Sequence, residues 1–251
     1  MELKDMNVIV TGGASGIGRA TALLLADRGA KVVVGDVDRA GGQALADEAR
    51  GRQVDIRYVH LDLTDANSAR EFVREAAAPG RIDALVNAAG WDRVEPFMEN
   101  DPLLWEKLIN INLLGPIRLT RLVLDHMTEV KAGKIVNISS DAGRVGSMGE
   151  TVYSACKGGV IAFTKALARE MARYRINVNC VCPGPTNTPL LHAQTSDWAL
   201  RIREGMTRAV PFRRLAEPVE IAESIAFFLT PASGFVTGQV LSVSGGLTMA
   251  G

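Results

Sequence analysis

Short apolar runs rich in β-branched residues alternate along the chain with longer Ala/Leu-rich stretches of helical spacing, and few architectures accept that alternation. The runs Asn7–Val10, Lys31–Val34, Ile56–His60, Ala84–Asn87, Lys134–Ser139, Arg175–Val181 and Gln239–Val243 read as strands. The stretches Ile17–Arg28, Arg39–Arg50, Ala66–Ala77, Pro102–Val130, Tyr153–Arg173 and Val219–Leu229 each supply a crossover helix, and right-handed connections place them on both faces of the sheet. The expected fold is α/β: a doubly wound, parallel, seven-stranded sheet of the Rossmann type. With 251 residues and no Pro/Gly/Ser-rich linker, residues 1–251 are expected to form a single domain. Asp197–Arg208 is amphipathic and lies between Pro189 and Pro211, so residues 185–210 are expected to be a mobile substrate flap.

Charge narrows the function. The 28 basic and 28 acidic side chains cancel and are mixed along the sequence, which leaves no footprint for nucleic acid or an anionic membrane. Small molecules are the expected partners. The run Val8–Val10 is too short for a signal-peptide core or a membrane span, and the protein is expected in the cytoplasm. Cys156, Cys180 and Cys182 lack zinc-site spacing, and His60, His126 and His192 are scattered, so neither a metal site nor a serine-hydrolase triad is expected.

The first strand runs directly into Thr11-Gly12-Gly13-Ala14-Ser15-Gly16-Ile17-Gly18, where a helix begins. Gly12 permits the tight turn, Gly16 lets backbone N–H groups approach a pyrophosphate, and Gly18 allows close helix–strand packing. Asp36 ends the second strand, where a carboxylate accepts hydrogen bonds from ribose hydroxyls and repels a 2′-phosphate. NAD is therefore expected over NADP, with Arg19 and Arg39 close enough to temper that preference. The competing role for Asp36 or Asp38 is to cap the next helix, for which Asp38 is the better placed.

Tyr153 and Lys157 stand four residues apart and so share one helix face. An isolated tyrosine is only about 0.1% ionised at pH 7, and a neighbouring ammonium is expected to lower its pKa by about one to three units. The phenolate then takes the hydroxyl proton of an alcohol while hydride leaves the same carbon. Ser140, after an apolar strand and thirteen residues before Tyr153, is placed to hydrogen-bond the substrate oxygen. Asn112 falls inside an expected helix, a position of low propensity that suits either a polar task or a surface site.

With TGGASGIG at 11–18, Asp36, Asp62 in LDLT, NAAG at 87–90, Asn112, Ser140, YSACK at 153–157 and PGPTNT at 183–188, the sequence resembles the short-chain dehydrogenase/reductase family over nearly its whole length. The resemblance implies that Tyr153 is the acid/base, Lys157 tunes it and holds ribose, Ser140 orients substrate, and Asn112 supports a water-mediated relay. It also implies NAD contacts from Gly12, Ser15, Gly16, Ile17, Gly18, Asp36, Val37, Asp62, Leu63, Asn87, Ala88, Ala89, Gly90, Tyr153, Lys157, Pro183, Gly184, Thr186 and Thr188. Ala88 stands where the family more often has a second asparagine. A homotetramer is implied too, with Pro102–Val130 and Tyr153–Arg173 pairing across one axis and the C-terminal segment across another.

Substrate walls are expected from Trp91, Asp141, Arg144, Met148, Pro185 and Leu190. The apolar members would enclose a ring or aliphatic body, while Arg144 or Arg93 would either pair with an anion or remain solvated. NAAGWD, SDAGRVGSMGETVYSACKGG, VCPGPTNTPLL and GFVTGQVLSVSGGLTMAG are similar to the branch of the family that oxidises cyclic β-hydroxyacyl-CoA thioesters to β-keto thioesters. That similarity implies Arg201, Arg203 and Arg208 as partners for CoA phosphates. The alternatives are a dehydrogenase of a free hydroxycyclohexane carboxylate or other cyclic alcohol, a 3-oxoacyl carrier-protein reductase, or a nucleotide-sensing protein without turnover.

Overall fold

A β-branched run buries both faces only when helices cover the sheet on each side, and burial along these strands follows that rule. The computed structural model describes residues 3–78 and 80–250. It places β1 (Asn7–Thr11), β2 (Lys31–Asp36), β3 (Ile56–His60), β4 (Ala84–Asn87), β5 (Gly133–Ile138), β6 (Ile176–Pro183) and β7 (Val240–Val243) in one parallel sheet, ordered β3-β2-β1-β4-β5-β6-β7. The connections carry α1 (Gly16–Asp27), α2 (Arg39–Gly51), α3 (Ala66–Ala77), α4 (Pro102–Ile109), α5 (Gly115–Val130), α6 (Ala142–Val145), α7 (Thr151–Met171), α8 (Pro189–His192), α9 (Asp197–Ala209) and α10 (Pro218–Leu229).

Two apolar layers result. Leu25, Leu45, Ile221, Ile225 and Phe228 of α1, α2 and α10 pack with Val8, Val10, Val32 and Val34 on one face. Phe72, Leu119, Val123, Met127, Leu167 and Met171 of α3, α5 and α7 pack with Ile9, Val33, Leu85 and Ile135 on the other. The strand order turns back between β1 and β4, which pair from Val8↔Ala84 to Thr11↔Asn87, so the loops beyond their carboxyl ends part to opposite faces and open a crevice. Among the described residues no helix is long and apolar enough to cross a membrane.

The expected doubly wound sheet is present, with boundaries shifted by one or two residues. The helix expected from Pro102 to Val130 is interrupted: Asn110–Leu114 forms a π-helical turn between α4 and α5. Pro116 has no N–H for the carbonyl four residues back, and Gly115 lies where a Cβ would come within 2.7 Å of Leu63 Cβ. The expected amphipathic helix at 197–208 is α9, capped by the Ser196 hydroxyl, which accepts from the Ala199 N–H.

Candidate active site

The glycine turn is fixed by contacts that no side chain could share. Gly12 has φ +68°, and a Cβ there would sit 2.6 Å from Ala89 Cα; a Cβ on Gly18 would sit 2.2 Å from the Gly12 carbonyl oxygen. Thr11 Oγ1 accepts from both the Ala88 and Ala89 N–H groups at 3.1 Å, tying β1 to the loop after β4. The N-terminus of α1, including Gly16 and Gly18, faces the crevice with its free N–H groups, an arrangement suited to a pyrophosphate. Ser15, its N-cap, makes no side-chain cap bond.

Asp36 braces this turn. Its Oδ2 accepts from the Ala14 N–H and its Oδ1 from the Asp38 N–H, both at 2.9 Å. Asp38 is the residue that caps α2, accepting from the Gly41 N–H. Arg19, one of the two arginines close to the cradle in sequence, is paired with Glu48. Asp62 holds its own loop, its Oδ1 accepting from the Thr64 N–H at 2.8 Å and the Thr64 hydroxyl at 2.7 Å.

One cavity of about 1240 Å³ joins these groups to the loops beyond β4, β5 and β6. Gly12, Ser15 to Gly18, Asp36, Val37, Asp62, Leu63, Ala88, Ala89, Gly90, Pro183, Gly184, Thr186 and Thr188 line it, as do Ser140, Tyr153 and Lys157. Trp91, Asp141, Met148, Pro185 and Leu190 complete the expected wall.

Several expected residues lie elsewhere. Asn87 is buried beneath the crevice, its Nδ2 donating to Thr120 Oγ1 at 3.0 Å and to Asn137 Oδ1 at 2.8 Å. Asn112 is fully buried in the π-helical turn. Its Nδ2 donates to the Trp91 and Leu108 carbonyls, and its Oδ1 accepts from the Trp91 N–H, so it holds the loop after Gly90. Arg144 is a correction to the expected substrate wall: it points away from the cavity to the edge strand β7. There it donates to the Val240 carbonyl at 3.2 Å, to Ser242 Oγ at 3.1 Å and to the Ala250 carbonyl. Arg93 pairs with Glu95 outside the cavity, and of the three arginines expected to meet phosphates only Arg201 lines it.

Lys157 is buried one turn after Tyr153, its Nζ donating to the Ile138 carbonyl at 3.0 Å and standing 5.5 Å from the tyrosine ring centre. Ser139 donates to the Lys157 carbonyl at 2.7 Å, locking helix to strand at this point. Burial pulls the ammonium down to about 8. Tyr153 lies well above the ordinary phenol value because of burial first and then the negative charges of Glu150 and Asp92; the Ser140 hydroxyl, in hydrogen-bonding reach, pulls the other way. The net direction at Tyr153 is thus upward, where the YxxxK spacing alone predicts a lowering. A low-dielectric site penalises both ionised forms, and two carboxyls invisible to the YxxxK spacing add to that penalty.

Asp92 and Glu150 lie in loops expected to wall the pocket, 91–94 and 141–151, but no motif singles out either carboxyl. Burial and the adjacent Glu150 carboxyl push Asp92 up to about 9. The folded chain therefore holds a proton that the unfolded chain loses above pH ~4, so this group's contribution to stability falls as pH rises from there to about 9. Asp92→Asn is expected to raise the Tm by about 2–6 °C at pH 8 and to leave it nearly unchanged at pH 4. A thermal scan showing a lower Tm at pH 8 would contradict the assignment.

Comparison with known proteins agrees with this geometry. Residues 6–199 match the family model for short chain dehydrogenase. The 3-oxoacyl-[acyl-carrier-protein] reductase of Thermotoga maritima is 38% identical over 250 residues, covering 99% of this chain and 100% of that protein. The cis-4-hydroxycyclohexanecarboxylate dehydrogenase of Sinomonas cyclohexanicum is 41% identical over 242 residues, covering 96% and 95%. Among solved structures, a single-substitution variant of actinorhodin polyketide ketoreductase with NADPH superposes with a TM-score of 0.92 at 34% identity, covering 98% of each chain. With the glycine cradle, the Ser140–Tyr153–Lys157 wall and these matches together, the chain belongs to the short-chain dehydrogenase family and is an oxidoreductase acting on alcohol and ketone groups.

Proposed function

We propose that the enzyme is an NAD-dependent dehydrogenase that interconverts a secondary alcohol and a ketone on a cyclic hydroxyacyl-CoA resembling 2-hydroxycyclohexanecarboxyl-CoA. The observation that carries the reading is that Ser140, Tyr153 and Lys157 share one cavity with the glycine cradle. Its volume of about 1240 Å³ exceeds the ~300–1,000 Å³ of a single-ligand pocket, leaving room for a dinucleotide and a substrate together.

The cavity residues from Gly12 to Gly18, with Asp36, Val37, Asp62, Leu63, Ala88, Ala89, Gly90, Pro183, Gly184, Thr186 and Thr188, would hold the dinucleotide, and Asn87 would support them from below. When bound, its nicotinamide supplies the hydride acceptor or donor. Tyr153 moves the proton at the substrate oxygen and Ser140 orients that oxygen. Lys157 holds ribose, and Asn112 keeps the loop that would carry a water-mediated relay toward Lys157. Because burial and two carboxyls keep the Tyr153 hydroxyl protonated, it serves as a proton donor in ketone reduction at neutral pH, while alcohol oxidation is favoured by alkaline pH.

Asp36 supports NAD, since a carboxylate in this wall repels a 2′-phosphate and Arg19 is engaged by Glu48. We expect kcat/KM with NAD to exceed that with NADP by about tenfold or more, a free-energy difference of ~1.4 kcal/mol. The reverse order in steady-state assays would reject the assignment.

A ring is supported by the name of the Sinomonas relative and by the apolar surface of Trp91, Met148, Pro185 and Leu190. We take residues 185–210 to be the substrate flap, with Arg201 meeting a CoA phosphate. Two other readings each have an observation behind them: a free hydroxycyclohexane carboxylate, from the Sinomonas relative, and a 3-oxoacyl carrier-protein substrate, from the Thermotoga relative. NADH formation from cyclic hydroxyacyl-CoA thioesters, their free acids and simple cycloalkanols separates the cyclic candidates; a preference for the free acids would remove CoA and leave the dehydrogenase. We further propose a cytoplasmic homotetramer, supported by three unpaired buried thiols and by the exposed Phe227, Phe235, Leu241 and Met249 near the C-terminus. Light scattering at the mass of a monomer or dimer would count against the tetramer.

A further inference from the structure

Asp92, in the loop after β4, and Glu150, at the N-terminus of α7, meet across the cavity wall with their carboxyls in hydrogen-bonding reach of one another. Asp92 is only 6% exposed. Its Oδ1 and Glu150 Oε2 are both buried with no donor from elsewhere among the described residues, and both residues line the cavity beside Tyr153. Two carboxyls at hydrogen-bond distance cannot both ionise, so the pair shares one proton and carries a single negative charge. The fold gives no return for this burial: Glu150 makes no side-chain bond to cap α7. Nor does the proton step at Tyr153 require it, since Ser140 and Lys157 already serve that group.

We propose that the Asp92–Glu150 pair is the recognition point for the group attached beside the reacting carbon, and that it selects a neutral acyl group, thioester or ester, over a free carboxylate. This rests on the reading above, in which the alcohol binds next to Tyr153. The one proton is held between the two carboxyls, so toward a bound substrate the pair presents acceptor oxygens and a single negative charge, which a neutral acyl group tolerates. A substrate carboxylate would instead place a further anion against a low-dielectric wall that already carries one. The cations of this wall are committed or set apart: Lys157 Nζ donates to the Ile138 carbonyl, Lys107 Nζ stands 3.7 Å over the Trp91 ring, and Arg201 belongs to α9.

The test is the ester-to-acid ratio of kcat/KM for alcohol oxidation, measured with ethyl 2-hydroxycyclohexanecarboxylate against its free acid and with ethyl 3-hydroxybutyrate against 3-hydroxybutyrate. The wild type is expected to favour the ester by about 100-fold, and the double variant Asp92→Asn/Glu150→Gln, which removes the pair's one negative charge, is expected to cut that ratio by about tenfold or more, while either single variant leaves one carboxylate and keeps most of it. An unchanged ratio in the double variant overturns the proposal, however far the individual rates move. If only the acyclic pair is oxidised, the ring assignment falls while the ratio still decides the role of the carboxyls. If the cyclic pair is oxidised with an unchanged ratio, the ring stands and the carboxyl role falls.

Discussion

Gly18→Ala is expected to weaken NADH binding by about 100-fold, read by fluorescence titration, and to lower the Tm in the same preparation. The added methyl would lie 2.2 Å from the Gly12 carbonyl oxygen and 2.7 Å from its carbon, so backbone and not a flexible side chain must yield. Gly12 has nowhere to go, being held at φ +68° with Ala89 Cα at 2.6 Å from where its own Cβ would project. Overpacking of this kind costs about 1–3 kcal/mol, and the upper end corresponds to the stated loss at ~1.4 kcal/mol per tenfold. Gly51→Ala is the control. A Cβ there meets nothing within 4 Å, so the substitution is expected to leave affinity unchanged and stability equal or slightly higher.

Tyr153→Phe is expected to reduce kcat by about 10²- to 10⁴-fold, the usual worth of a positioned acid/base, while leaving the affinity for NADH within about twofold. The loss falls on kcat because the hydroxyl does its work when the proton moves and contributes little to holding the dinucleotide. The fold is expected to tolerate the change: the phenyl ring keeps its packing in the small apolar cluster with Leu104, Leu108 and Cys156. A fall in NADH affinity matching the fall in rate would instead make Tyr153 a structural member of the cradle.

The sheet, the helices and the glycine cradle are legible in the sequence because each rests on a local rule: period-2 and period-3.6 apolarity, and positive φ at a turn that only glycine accepts cheaply. The same locality explains the misses. Nothing in the apolar spacing from Pro102 to Val130 marks a π-helical turn, because its cause lies partly in the close packing of Gly115 on Leu63. Arg144 reads as a pocket residue because its loop borders the crevice, yet which face of α6 it occupies is decided by the unpaired carbonyl of β7, ninety-six positions later. Asn87 carries a family motif position and still turns into a buried amide–hydroxyl network with Thr120 and Asn137. Spacing alone finds Tyr153 and Lys157, but the direction of the tyrosine shift is set by burial first and then by Glu150 and Asp92, which meet it only in three dimensions. Motifs thus disclose which groups assemble; their charge state requires the packing.

The proton carried by Tyr153 as hydride moves is tested most directly by kcat/KM for alcohol oxidation against pH, wild type beside Tyr153→Phe. With the hydroxyl held protonated, the wild-type rate is expected to climb about tenfold per pH unit toward an alkaline plateau, and the variant to show a small residual rate without that limb. A folded Tyr153→Phe enzyme with undiminished activity and the same pH limb would contradict it.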